Sequence, residues 1–363
     1  MKTNLLKTTF IVCISLILFS AVFTGCKNEE DPVVAADQTK LTALVDSCTA
    51  ILASPTLSAD YPAEAITAFQ TLLTNTKTAA SVAGVTQTAV DNLVVNLRAG
   101  QTTFLAAAYG AIPASAVTFG LSFDEGKGTS LTTTGSNAWT AALIAGPSQL
   151  FGTKTGIPTF VAGKKGSAMH FTGGSHLEIS DYTANKLLGK DLSIAVWVKT
   201  DSVRANNYII SYNSWYSWKF QVQDGKKPFF TVTTSLGGTD ADNQHDNSVP
   251  NATWTHLVAS LSLTTGNLTL YVNGVNTMVW TNVTKPNLGG TIATYTALST
   301  TKLPLMIGAA FTYAEAKLAW PADWGWETIP NWGYFTGSMD ELKVYNIALT
   351  DGQVAKLYKD ENK

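Results

Sequence analysis

Close to the end of the 363 residues lies Gly337-Ser338-Met339-Asp340-Glu341-Leu342-Lys343-Val344-Tyr345-Asn346, where Leu342 and Val344 alternate with Glu341 and Lys343. A period of two is the pattern of a half-buried strand. Met339 is apolar on the opposite parity, which predicts a β-bulge near Asp340 and Glu341. Thr350-Asp351-Gly352-Gln353 follows as a capping box, opening a short helix with Val354, Leu357 and Tyr358 on one face. An apolar strand placed here cannot bury itself, so it must close a sheet begun far upstream.

The same period recurs over the back two-thirds of the chain. Val117, Phe119, Leu121 and Phe123 alternate with polar or small residues; Leu192, Ile194, Val196 and Val198 share one face of a strand whose other face carries Ala195 and Trp197. Leu257, Ala259, Leu261 and Leu263 form another, and Thr264-Thr265-Gly266-Asn267 turns into Leu268, Leu270 and Val272. Asp224-Gly225 and Asn273-Gly274 are hairpin signals. Many short strands without helical interludes predict an all-β jelly-roll sandwich over residues 116–360.

Upstream the period is helical. Leu41, Leu44, Val45, Cys48, Ile51 and Leu52 make one apolar stripe, with Asp37 as the expected N-cap. A second helix is expected from Tyr61-Pro62, with Ile66, Phe69, Leu72, Leu73 and Thr76 inward, and a third from Thr86, carrying Val90, Leu93, Leu97 and Phe104. Residues 37–110 are thus expected to form a small all-α three-helix bundle, read as a spacer. Cys48 lies on the stripe and is read as a buried small hydrophobe.

Residues 1–25 have the charged start (Lys2, Lys7) and short apolar centre (Phe10 to Phe19) of a signal peptide. Cys26 follows Phe23-Thr24-Gly25, and residues 26–36 form a charged tether. The formal net charge is -2, with no basic block, which removes electrostatic support for nucleic-acid binding. With cysteines only at positions 13, 26 and 48, no disulfide framework is available to the mature chain.

These motifs carry family resemblances. Phe23-Thr24-Gly25-Cys26 resembles a bacterial lipobox, which implies acylation of Cys26, and Lys27-Asn28-Glu29-Glu30-Asp31 is similar to the export signal of Bacteroidetes surface lipoproteins. That resemblance implies a lipid-anchored protein on the outer face of the outer membrane. Tyr61 to Phe104 resembles FIVAR-type helical modules. Gly166-Ser167-Ala168-Met169-His170-Phe171, Leu192 to Lys199, Trp254-Thr255-His256-Leu257-Val258, Leu268 to Gly274 and Gly337 to Asn346 resemble, in order, landmarks of laminin-G-like domains of the concanavalin A-like lectin/glucanase superfamily. The resemblance implies a sandwich that binds or cleaves glycans, and a structural Ca²⁺ near the first and last strands, with Asp340, Asp124 and Glu125 as its ligands.

The glucanases of that fold carry E-x-D-x-x-E, and this chain has no such run; Asp124-Glu125 and Asp340-Glu341 are adjacent pairs, which in a regular strand face opposite ways. Aromatic residues point instead to binding. Six of the ten tryptophans fall in Trp215-Tyr216-Ser217-Trp218 and in the stretch from Ala319 to Tyr334. Flat aromatic faces suit the apolar faces of sugar rings. Trp215, Tyr216, Trp218, Trp320, Trp324, Trp326, Trp332 and Tyr334 are accordingly the expected ligand contacts, the competing reading being an insertion that buries its own rings. The leading expectation is a non-catalytic glycan- or polysaccharide-binding surface lipoprotein. A glycoside hydrolase using Asp323 and Glu327, or a protein-binding adhesin, stands as the alternative.

Overall fold

A computed structural model describes residues 35–180, 190–202, 206–293, 304–319 and 333–363. Three long helices come first: α1 (Thr39–Leu52), α2 (Ala63–Ala80) and α3 (Gln87–Ala106), with a single helical turn at Leu57–Asp60 between the first two. Their buried residues are those of the apolar stripes, including Leu41, Cys48, Phe69, Leu73, Leu97 and Phe104. Phe104 stacks between Tyr61 and Phe69 at centroid distances of 4.2 and 4.6 Å. Thr86 caps α3 by accepting the Ala89 amide. The N-cap of α1 is Gln38 rather than Asp37; Asp37 lies one residue before it and accepts the Thr39 amide.

Two antiparallel sheets follow. The first contains β1 (Val117–Leu121), β4 (Thr159–Ala162), β5 (Ser167–Phe171), β7 (Asp191–Thr200), β12 (Thr255–Ser262), β13 (Asn267–Val272), β14 (Val275–Thr281) and β16 (Gly337–Tyr345). Their order is β14-β13-β12-β7-β16-β5-β4, with β1 also on β16. The second contains β2 (Ser130–Thr132), β3 (Thr140–Ile144), β6 (His176–Ile179), β8 (Asn207–Tyr212), β9 (Trp218–Gln223), β10 (Lys227–Thr234), β11 (Gly237–Asp242) and β15 (Leu305–Ile307). Their order is β11-β10-β9-β8-β15-β6-β3-β2.

The closing strand does close the sheet. β16 pairs with β7 along its length, while its first half takes β5 and its second half takes β1. The bulge is where Met339 places it: the ladder with β7 takes in an extra residue between Asp340 and Lys343, and Glu341 adopts a φ of 49°. Met339, Leu342 and Val344 consequently all enter the core despite their mixed parity. Asp340, Glu341 and Lys343 all come out on the far side, so the adjacent carboxylates do not face opposite ways as a regular strand would have them.

The core between the sheets is built from the alternating residues, including Phe119, Ile194, Val196, Phe220, Leu257 and Ile307. A short helix, α4 (Tyr313–Ala319), follows β15, and a terminal helix, α5 (Asp351–Glu361), covers the outer face of the first sheet. The capping box of α5 is complete: Thr350 accepts the Gln353 amide and Gln353 accepts the Thr350 amide. Among the described residues no helix is long and apolar enough to cross a membrane.

Candidate functional site

Under α5 the first sheet's outer face is filled. Trp197 donates its indole N–H to Glu361 Oε2 at 3.0 Å, and Glu361 Oε1 lies 2.6 Å from Lys343 Nζ. His256 is fully buried between Trp197 and Tyr358, and neither of its ring nitrogens has a hydrogen-bond partner among the described residues. Burial, then the Lys343 charge, pushes its pKa down to about 3, so the imidazole is neutral. Burial likewise raises the Glu361 pKa, against the pull of Lys343. For Lys343 burial works to lower the pKa, but the Glu361 and Glu341 carboxylates outweigh it and raise the pKa. This face is a structural seal.

The carboxylates expected to hold Ca²⁺ serve a turn. Asp340 Oδ2 accepts the Lys165 amide at 3.0 Å and Oδ1 accepts the Glu341 amide at 2.8 Å. Asp124 Oδ1 accepts the Ser167 amide at 3.0 Å. A Cβ on Gly166, whose φ is +60°, would stand 2.1 Å from that same Asp124 oxygen. Both acids thus grip the β4–β5 hairpin, while Glu125 is exposed. Among the described residues no three His, Cys, Asp or Glu side chains gather into a metal-binding group. Both oxygens of Asp340 and one of Asp124 are taken up by amides of this hairpin and of β16.

Ser338, His170 and Asp201 line up on the first sheet: Ser338 Oγ is 3.1 Å from His170 Nδ1, and His170 Nε2 is 3.6 Å from Asp201 Oδ2. Ser338 sits within β16, flanked by His170 and Lys199 in the ladders. It lacks the strained strand-to-helix turn that exposes a hydrolase nucleophile, and 3.6 Å is too long for the bond that would orient the imidazole. The trio is a surface polar contact.

The outer face of the second sheet differs. Ladder partners fall on one face, so Asp240, Thr231, Lys219, Ser211, Met306 and Glu178 form one row across six strands. Beside it runs a second row, Asp242, Phe229, Gln221 and Tyr208. Lys219 is fully buried although it points away from the core. Its ammonium lies 3.7 Å from the Trp215 ring centroid, 4.5 Å from Phe229 and 5.3 Å from Tyr208, and donates to Gln221 Oε1 at 2.7 Å. Rings on several sides offset the cost of removing this charge from water. Thr231 donates to Asp240 Oδ1 at 2.6 Å, and Thr233 donates to the Trp215 carbonyl at 2.6 Å, fixing the Trp215 turn.

Trp215, Tyr216 and Phe229 are half-buried, and Lys219, Gln221, Thr231 and Ser211 in the two rows are buried. Toward β15 the face is covered by Ala310, Phe311 and Ala316 of the segment that carries α4, which pack on Tyr208.

Of the expected contacts, Trp215 stands at this face, and Tyr216 is half-buried in the turn beside it. Trp218 does not: as the first residue of β9 it has inward parity, pairs with Val232 and Tyr212, and is fully buried in the core. Tyr334 is also buried, against Phe151, Met306 and Ala309. Trp320, Trp324, Trp326 and Trp332, with Asp323, Glu327 and Cys26, lie outside the described residues. Trp254 precedes β12 and is half-buried, rather than being a core-strand residue like Trp197. Lys219, Gln221, Phe229 and Asp240 were not singled out from the sequence. The signal for Lys219 and Gln221 was the alternation of Trp218-Lys219-Phe220-Gln221-Val222-Gln223, which puts polar side chains on the second face of a central strand.

Among curated proteins no sequence matches the chain. Similar solved structures include domain 4 of an extracellular arabinanase from Geobacillus stearothermophilus in complex with arabinotriose (18% identity, 67% of this chain and 98% of that one, TM-score 0.43). Another is the binding domain of Paraclostridial mosquitocidal protein 1 (14% identity, 68% and 52%, TM-score 0.48). A third is the binding domain of botulinum neurotoxin DC in complex with SialylT (11% identity, 68% and 52%, TM-score 0.44). The match spans about half the length of the two toxin chains. The laminin G sequence pattern described as the concanavalin A-like lectin/glucanases superfamily matches residues 171–355, more than half of the chain. With its two stacked antiparallel sheets, this chain belongs to the concanavalin A-like lectin/glucanases superfamily.

Proposed function

We propose that this protein is a lipid-anchored surface protein that holds a glycan, without cleaving it, on the outer face of its second sheet. The observation that carries this reading is the asymmetry of the two outer faces. Over β7, β12 and β13 the first is covered by α5, whereas the second carries the half-buried rings of Trp215 and Phe229 over buried Lys219 and Gln221, with Asp240 exposed at its edge. Aromatic faces stack on the apolar faces of sugar rings, and fixed polar groups pair with hydroxyls; a small number of such groups sets orientation in a binding site. Trp215 is held by its carbonyl bond to Thr233 and by the ammonium against its ring, so little ordering is needed when a ligand arrives.

Fold alone does not separate a binder from a hydrolase of this superfamily. Binding is favoured by the state of the acids on this face. Glu178 lies at the opposite end of the cross-strand row from Asp240, whereas a retaining pair needs about 5–5.5 Å. Asp242 is nearer, but both its oxygens are engaged, Oδ1 by the Gln244 amide and Oδ2 by Gln223 and Lys227. The test is affinity electrophoresis of the full chain through gels carrying soluble polysaccharides, with a reducing-end assay alongside. Trp215→Ala should weaken retardation about tenfold, by analogy with the roughly 1–3 kcal/mol that a stacked nucleic-acid base loses with its aromatic partner. Retardation unchanged in Trp215→Ala and Phe229→Ala, or reducing ends released by wild type, overturns the reading.

A further inference from the structure

The charges around this face narrow the ligand class. Of the described strand residues that face outward on the second sheet, Lys219 and Lys227 are cationic and Glu178, Asp240 and Asp242 are anionic. Both cations are engaged. Lys219 is fully buried behind Trp215 and Phe229, where a ligand anion cannot reach it without displacing rings. Lys227 is held between Asp242 at 3.3 Å and Asp246 at 2.9 Å. The carboxylates keep contact with water: Asp240 is exposed, and the side chains of Asp246, Asp242 and Glu178 are 66%, 22% and 20% exposed. A ligand lying along Trp215 and Phe229 therefore meets an acidic border on the β10–β11 side.

Resting on the glycan reading above, we propose that the site takes an uncharged polysaccharide and rejects chains bearing uronate or sulfate groups. Ionised carboxylates accept hydrogen bonds only, so they suit ligand hydroxyls and repel ligand carboxylates or sulfates. Asp240 has one oxygen on Thr231 and the other available to a sugar hydroxyl. Repulsion from an exposed border acts within a Debye length of about 10 Å at 0.1 M salt, so it should weaken as salt rises.

The probes are a neutral β-glucan, a neutral mannan, polygalacturonate and chondroitin sulfate, titrated against the full chain in about 0.1 M salt and again in about 0.5 M. Binding of a neutral polymer with at least about tenfold weaker binding of both acidic ones supports the proposal. Asp240→Asn combined with Asp242→Asn should narrow that gap; both positions are on the edge strand β11, and because Asp242 also holds Gln223, Lys227 and the Gln244 amide, circular dichroism checks that the double variant folds. An acidic polymer bound as tightly as the neutral ones overturns the charge argument while leaving the glycan reading intact. A gap that neither the double variant nor high salt narrows overturns it too. Failure of all four polymers to bind counts against the glycan reading itself.

Discussion

Trp197 is flanked in one cross-strand row by Asp340 on β16 and His256 on β12. These two neighbours titrate in opposite senses. His256 stays neutral down to about 3 from an ordinary 6.5, so unfolding in that range takes up a proton. Its contribution to stability is complete above 6.5 and is lost as pH falls towards 3. Burial, despite the Lys165 amide and with the help of the Glu341 charge, raises Asp340 from 3.8 to about 7, so unfolding in that window releases a proton. Its contribution is complete below 3.8 and is lost as pH rises through 7. Between 3.8 and 6.5 the two effects cancel. Relative to wild type, Asp340→Asn should lose stability on acidification by about 1.4 kcal/mol per pH unit, and His256→Phe should gain by a similar slope. Urea midpoints at about pH 4.5 and 6.5 check this, and parallel slopes in all three proteins would refute it.

At the scale of elements, α5 does two jobs. Its inner face seals the first sheet through Val354, Tyr358 and Glu361. Its outer face meets the helical segment: Lys356 donates to the Ala59 carbonyl at 3.4 Å, Lys359 donates to the Ser58 carbonyl, and Gln353 donates to the Ala111 carbonyl at 3.0 Å. Gly352 lets the Tyr109 and Ala108 carbonyls approach, since a Cβ there would stand 2.7 Å from the Tyr109 oxygen. The carbonyls at the end of the Leu57–Asp60 turn are the unpaired acceptors that lysines favour. These contacts join the helical segment to α5. Lys356→Ala with Lys359→Ala should leave circular dichroism unchanged and speed protease cleavage between Ala107 and Ser115 several-fold. Thr350→Ala should cost about 1 kcal/mol of sandwich stability by removing the cap, read as a lower thermal midpoint.

At the scale of the whole molecule, the proposal is an anchored helical segment carrying a binding face. Acylation at Cys26 predicts that Cys26→Ser moves the protein from the membrane pellet to the soluble fraction. Display on the cell exterior predicts digestion by protease added to intact cells, and full protection would end that part of the proposal. Much of this organisation is legible in the residues themselves. The period of two in Leu192 to Val198 and Leu257 to Leu263, the bulge marked by Met339, and the Thr350–Gln353 box are local patterns, and local patterns follow from backbone geometry that each residue carries with it. The candidate site is not of that kind. Trp215 and Trp218 look alike in sequence, yet one reaches solvent and the other is core, because strand parity and the opposing sheet decide which side of β9 is inside. Lys219 joins Phe229, Tyr208 and Asp240 only through the ladders of the consecutive strands β8, β9, β10 and β11. Composition and alternation therefore set the sandwich and its elements, while strand register and the docking of α5 decided which side chains share each outer face.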